Sequence, residues 1–403
     1  MSPETQLFLL EHGGPMVLLL LLGGSMGSFL NVVVDRGSRG VSIVRPGSQC
    51  PNCGLRLRFG RENLPLLGWL LLRGRCRQCR LSIPLRYVLM EWGVAFAFVG
   101  VYQLAFDPLD CGGTMDPWLE ATGGREGAFF FLGVLALMSG FFAAGVIDFR
   151  TYHIPMWITT ALALSMPLFL LAQGLVEARP IGGRLLPVPL PGWVGVGSAM
   201  GGALSALLAN GLLWRGVLPT SFADYDEYVE DGAVLAEYPH ARREMGKELV
   251  FCSVIVAGFA IGGLLTQSFQ HSGDPPVWLA AASSGVIGWA SGAAVVWLVR
   301  IAGTLWLGQE AMGLGDVHLM GGAGALLGWF APLLAFALAP FVALCWLSGL
   351  AVVQKCRGRW SGELPPMPFG PHLAIATMAV VLGYRPIQAA WEAWFGEVLP
   401  WPQ

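Results

Sequence analysis

Of the chain's 403 residues, 55% are hydrophobic and only 12% charged, and the mean hydropathy is +0.60. Soluble domains carry about 25% charged residues, so this composition excludes a chain that covers its own apolar surface, and lipid must do so. The net charge of −2 says little as a total, because its distribution along the chain is what matters.

A transmembrane helix needs roughly 20 mostly apolar residues. Runs that meet this are 15–34, 87–106, 127–147, 156–176, 192–214, 249–269, 277–299 and 332–353. Two shorter runs, 317–331 and 371–385, are weaker candidates, and the Gly-rich first of these spans only if it is helical with wet ends. The expected fold is an all-α polytopic membrane protein with 8–10 transmembrane helices. The first run is preceded by Glu4, Glu11 and His12 with no basic residue, so it reads as a retained span rather than a signal peptide. The expected organisation is a first span (1–34), a polar loop (35–86), a membrane domain (87–214), a second loop (215–248) and a second membrane domain (249–403).

Orientation follows from Lys and Arg in the short loops. Eleven arginines lie between Asp35 and Glu91, opposed only by Asp35, Glu62 and Glu91. The next loop, 107–126, has Arg125 against five acids. The first loop is therefore expected inside and the second outside. Alternation then puts 148–155, 215–248, 300–316 and 354–370 inside, in agreement with Arg242, Arg243, Lys247, Arg300 and Lys355. The two arginines of 177–191 are a mild conflict. Segment 215–248, acidic at 224–231 and then basic, is expected on the inner surface.

Eight cysteines are present, and four of them form two C-x2-C pairs, Cys50/Cys53 and Cys76/Cys79. Each such turn aims two sulfurs at one point, and two turns close a tetrahedral thiolate site. Disulfides are the poorer explanation in a reducing compartment. The expectation is a small cytoplasmic zinc ribbon holding a structural zinc, since four thiolates leave the ion no open position.

Acidic residues beside apolar runs are functional candidates by default. Asp148 closes one such run, and Asp316 opens another inside Met312-Gly-Leu-Gly-Asp316. The topology puts both at the inner ends of their helices, where they can meet although far apart in sequence. Two carboxylates in one small site do not both ionise easily, which suits general acid and base work on a water. Two duller readings stand beside this one: an interfacial Asp in water, or metal binding by Asp148 with His153 or Asp316 with His318. Asn31 and Glu91, at the inner ends of the first two spans, read first as interface anchors.

Together these features resemble the type IV prepilin peptidases. In order they are Gly27-Ser-Phe-Leu-Asn-Val-Val33, the paired C-x2-C loop, Ile147-Asp148 with Ile154-Pro155, Glu310-Ala-Met-Gly-Leu-Gly-Asp316, and Pro368-Phe-Gly-Pro371. The resemblance leaves out roughly 177–290. It implies a membrane aspartyl protease whose catalytic carboxylates are Asp148 and Asp316. It further implies removal of a short basic leader, after a glycine, from prepilins or pseudopilins of type IV pilus and type II secretion systems. In many members the new amino terminus is then methylated from S-adenosylmethionine, although no cofactor fingerprint is visible here. The implied location is the bacterial inner membrane with the site and zinc loop facing the cytoplasm, and the implied partners are pilin precursors and lipid, with no nucleic acid.

This sequence departs from the family pattern twice. Met156 stands where an Asp usually follows Ile-Pro, and His318 where a Lys follows the second aspartate. The stretch between the two aspartates also carries two spans beyond the usual eight. The competing readings are a non-catalytic assembly or binding module for pilin-like proteins and a transporter with a zinc-ribbon loop.

Overall fold

The structure, a computed structural model, describes residues 3–50, 52–58, 62–106, 127–176, 185–228, 238–269, 273–358, 367–397 and 401. Among the described residues it is helical, with two isolated β-bridges and no longer strand pairing. Nine of the described helices are long and apolar enough to cross a membrane, within the expected range. The chain divides into two compact units, Met1–Ala121 and Thr122–Gln403. Loop 107–126 and most of 224–237 lie outside the described residues.

In the amino-terminal unit α1 (Pro3–Gly37) packs along α3 (Arg86–Phe106), and the loop between them carries the short α2 (Gly68–Leu71). A Cβ on Gly23 would sit 2.6 Å from the Ala95 Cα, and one on Gly27 2.7 Å from the Glu91 Cα. Small residues at this seam let the two backbones meet, which is how helices associate where lipid removes the hydrophobic drive.

The second unit contains α4 (Ala128–Thr151), α5 (Met156–Val176), α6 (Trp193–Trp214), α7 (Ala241–Gln267), α8 (Val277–Leu307), α9 (Leu314–Leu327), α10 (Phe330–Cys356) and α11 (Gly370–Phe395). Its centre is α9, which lies against α8 and α5 and also touches α4, α10 and α11. From Asp316 to Gly328 every residue but His318 is buried. Helices α6 and α7 form a closely packed hairpin through Gly201 and Gly258, and most of their remaining surface is exposed.

Three elements differ from expectation. The run 317–331 forms only the 14-residue α9, about 21 Å long against a hydrocarbon core of about 30 Å. Beyond its end lies an extended segment that includes buried Leu185, Leu186 and Val188. The Pro189 carbonyl there accepts the Ser284 hydroxyl at 2.7 Å, and the Pro187 carbonyl accepts the Trp401 indole N–H at 3.1 Å. Non-helical backbone is tolerated beside membrane helices when protein buries it and satisfies its polar groups. Secondly, α7 starts at Ala241, so the basic end of the second loop is helical. Thirdly, α8 runs on to Leu307 and draws Arg300 into the helix.

Candidate functional site

Asp148 sits in the last turn of α4 and is 6% exposed. The helix stops at Tyr152, whose left-handed backbone (φ 54°) lets its N–H reach the Asp148 carbonyl at 2.8 Å. Ile154-Pro155 then turns the chain into α5. The carboxylate Oδ2 of Asp148 accepts the Gly370 backbone N–H at 3.0 Å. Gly370 opens α11, and its neighbour Pro371 rests on Gly145 of α4. The Pro-Phe-Gly-Pro sequence thus docks the start of α11 onto the end of α4 and gives the aspartate one fixed donor.

Asp316 lies in the first turn of α9, 7% exposed, with its N–H donated to the Gly313 carbonyl at 3.2 Å. Its Oδ1 is buried and has no hydrogen-bond partner among the described residues. Ile154 joins the two sites: it touches the spaces a Cβ would fill on Gly315 (2.8 Å) and on Gly370 (3.0 Å). Asp148 lies near enough for its charge to bear on Asp316. The pair read from sequence is therefore brought together. Met156 is exposed at the start of α5, and His318 is half-buried on α9.

Behind Asp316 lies a group that sequence reading missed. Arg300, 1% exposed, donates from Nε and Nη2 to Glu248 of α7 at 2.9–3.1 Å. Its Nη1 donates to the Glu310 carboxylate and the Met312 carbonyl. Glu248 also accepts the Trp297 indole N–H at 2.6 Å. The guanidinium stands 5.1 Å from the centre of the Phe222 ring. Only the placement of an Arg at the end of an apolar run could have signalled it, since charges drawn into such helices must find partners.

The amino-terminal unit holds the four cysteines. Their sulfurs all lie within 4.8 Å of one another, Cys50 to Cys79 at 3.7 Å and Cys53 to Cys76 at 3.8 Å. The two turns repeat one geometry. Cys50 N–H reaches the Leu55 carbonyl and Cys76 N–H the Leu81 carbonyl, while Gly54 and Arg80 take positive φ of 68° and 58°. A tetrahedron with metal–sulfur bonds of about 2.3 Å has edges of roughly 3.8 Å, so the donors fit a four-coordinate ion. The Leu81 backbone N–H and the Asn52 side chain pull the Cys79 thiol down to about 6. Cys53 accepts from Leu55, yet burial and the neighbouring sulfurs push it up to about 11.

Of the two polar residues expected as interface anchors, Asn31 ties α1 to the start of α3 and Glu91 ties α3 to the loop. Asn31 donates to the Tyr87 carbonyl at 3.1 Å, and Glu91 accepts the Leu66 N–H at 2.8 Å, where Leu66 has φ 68°. Between the loop, the carboxyl end of α1 and the amino end of α3 is a cavity of about 670 Å³ whose lining includes Asp35, Arg36, Trp69, Arg86, Tyr87 and Glu91.

Fold and site define a polytopic helical membrane protein with paired buried aspartates in one unit and a four-cysteine cluster in the other. A family model described as Bacterial Peptidase A24 N-terminal domain matches residues 21–105. A prepilin leader peptidase/N-methyltransferase of Klebsiella pneumoniae is 34% identical over 173 residues, 40% of this chain and 67% of that protein. The chain belongs to the prepilin leader peptidase/N-methyltransferase family. The relative so named in Myxococcus xanthus (strain DK1622) is 54% identical over 80 residues, 19% of this chain and only 24% of its own length. The one in Aeromonas hydrophila is 25% identical over 403 residues, 93% of each chain. No solved structure matches the chain.

Proposed function

We propose that the protein is a membrane aspartyl endopeptidase. It removes the basic leader from type IV prepilins or pseudopilins at the cytoplasmic face of a bacterial inner membrane, then methylates the new amino terminus. The observation that carries this reading is the meeting of Asp148 and Asp316 around Ile154, with one Asp316 oxygen left without a partner among the described residues. A substrate with an apolar helix in the bilayer and a basic leader outside it presents its scissile bond at the membrane boundary, and catalytic groups at helix ends suit that depth.

Like charges so close do not both ionise easily, so one carboxyl keeps its proton. The ionised aspartate takes a proton from water, and the resulting hydroxyl adds to the scissile carbonyl carbon. The protonated aspartate meanwhile donates to the carbonyl oxygen. When the tetrahedral adduct collapses the C–N bond breaks, the first carboxyl passes its proton to the leaving amine, and the second carboxylate takes its proton back from a hydroxyl of the adduct. Gly370 keeps Asp148 in place throughout.

Zinc is the ion proposed for Cys50, Cys53, Cys76 and Cys79, in a structural role, because four thiolates complete its shell. S-adenosylmethionine would supply the methyl group. The cavity beside the loop offers what such a molecule asks for: aromatic Trp69 and Tyr87 for a planar base, Asp35 and Glu91 for a cationic centre, and Arg36 and Arg86 for a carboxylate.

Mass spectrometry of a prepilin co-expressed with the protein tests the reading. Wild type should yield a leaderless product heavier by one methyl, and Asp148→Asn and Asp316→Asn should each leave the precursor uncut. Uncut precursor with folded wild type, across several prepilins, would overturn the peptidase and favour a non-catalytic binding module.

A further inference from the structure

We infer that Arg300 is a positioning residue for the aspartate pair: it ties the loop that delivers Asp316 to α7, and so holds the carboxylate in register. This rests on the peptidase reading above.

The loop leaves α8 at Gly308 (φ 81°) and enters α9 at Gly313, so two glycines bracket it and no regular structure stiffens it. Three consecutive residues are instead tied to α8. The Glu310 carboxylate and the Met312 carbonyl both take the Arg300 Nη1, and the Ala311 N–H is donated to the Thr304 hydroxyl at 3.1 Å. Arg300 and Thr304 stand one turn apart on α8 and are 1% and 0% exposed. Met312 precedes Gly313, whose carbonyl receives the Asp316 N–H. The path from guanidinium to carboxylate is therefore one hydrogen bond and a single helical turn.

The other edge of the guanidinium is spent on α7, through both oxygens of Glu248. Glu248 is 4% exposed and is itself fixed by Trp297. The Phe222 ring faces the cation, and the Phe222 N–H is donated to buried Glu244, one turn before Glu248 on α7. Arg242 meanwhile donates to the last carbonyls of α8, Leu305 and Trp306. Phe222, Glu244 and Glu248 all belong to the stretch between the two aspartates that carries none of the family motifs. That stretch acquires a task here: it clamps the loop before Asp316. The planar fork is what the task needs, because it faces two partners at once, whereas an ammonium is a single point charge.

A merely structural ion pair and a positioning one part company in a simple way. Buried ion pairs are often replaced by well-packed apolar residues without loss of stability. The full-length protein should therefore be compared as wild type, Arg300→Lys and the double variant Glu248→Met/Arg300→Met. Prepilin cleavage and hydrogen exchange are the two readouts. Positioning errors near 1 Å cost on the order of 10²-fold in rate, so both variants should lose roughly 10- to 100-fold in kcat with KM within about twofold. Exchange across 308–316 should quicken while α7 and α8 keep their protection. A double variant that cleaves at the wild-type rate would overturn the proposal. So would unchanged exchange across 308–316, and this second measurement does not depend on activity. A wild type that cuts no prepilin would sink the peptidase reading instead, and the exchange data would still decide whether Arg300 holds the loop.

Discussion

At Gly370 a Cβ would stand 2.7 Å from the Asp148 Oδ2 and 3.0 Å from the Ile154 Cδ1. Both atoms are the far ends of side chains, so the backbone can stay while the carboxylate is pushed aside. Gly370→Ala is therefore expected to fold and to lose roughly 10²-fold in cleavage, the scale of a misplaced catalytic group. A rate within twofold of wild type would show that the position of Asp148 is not critical. Asp148→Asn and Asp316→Asn keep the shape and remove the acid–base function, worth about 10²–10⁴-fold. Their melting temperatures should stay near wild type while the leader remains attached. The aspartates were legible in the sequence because a charge beside an apolar run is conspicuous. Arg300 was not: its partner Glu248 lies 52 residues away with no local signal, and its position at the end of a run reads equally well as a loop cation.

Elements tell a similar story of what apolar patterning reveals and what it hides. The long spans could be read directly, since lipid and length impose them. The nature of α9 could not, because burial in protein and burial in lipid call for the same residues. What marks α9 as internal is its glycines. A Cβ on Gly288 of α8 would lie 1.9 Å from the Gly324 carbonyl oxygen, and one on Gly324 1.9 Å from that of Gly288. Here backbone meets backbone, so Gly288→Ala must separate α8 from α9 and should cost at least about 1–3 kcal/mol, read as a lowered melting temperature in detergent. An unchanged melting temperature would mean the helices are less tightly apposed. The cysteine loop makes the opposite case: the C-x2-C spacing pointed to its centre, but the tie from Glu91 to Leu66 has no sequence signature. Few of the described apolar residues of this loop are buried, so the proposed ion would supply most of its stability, and structural zinc contributes about 10–16 kcal/mol in small zinc-finger peptides. Chelation, or Cys76→Ser, is expected to expose 45–83 to limited proteolysis while α1 and α3 resist. Protection that survives complete metal removal would end the zinc proposal.

At the scale of the whole molecule the remaining question is which way the helices run. In the second unit the carboxyl end of α4, the amino end of α9 and the amino end of α11 converge on Asp148 and Asp316. That convergence requires the 27-residue α10 to return the chain to the side from which α9 set out. Counting the short α9 as a crossing is what keeps the loop alternation expected from the sequence. The positive charges then predict a direction: Arg242, Arg243 and Lys247 at the start of α7 are expected inside, and the far end of that helix outside. An epitope inserted after exposed Thr220 should be shielded in intact spheroplasts, and one after exposed Ser268 should be reached by antibody. The reverse pattern would put the aspartates on the outer side, away from any leader in the cytoplasm. The peptidase proposal would then fail on topology alone, however well the carboxylates are paired.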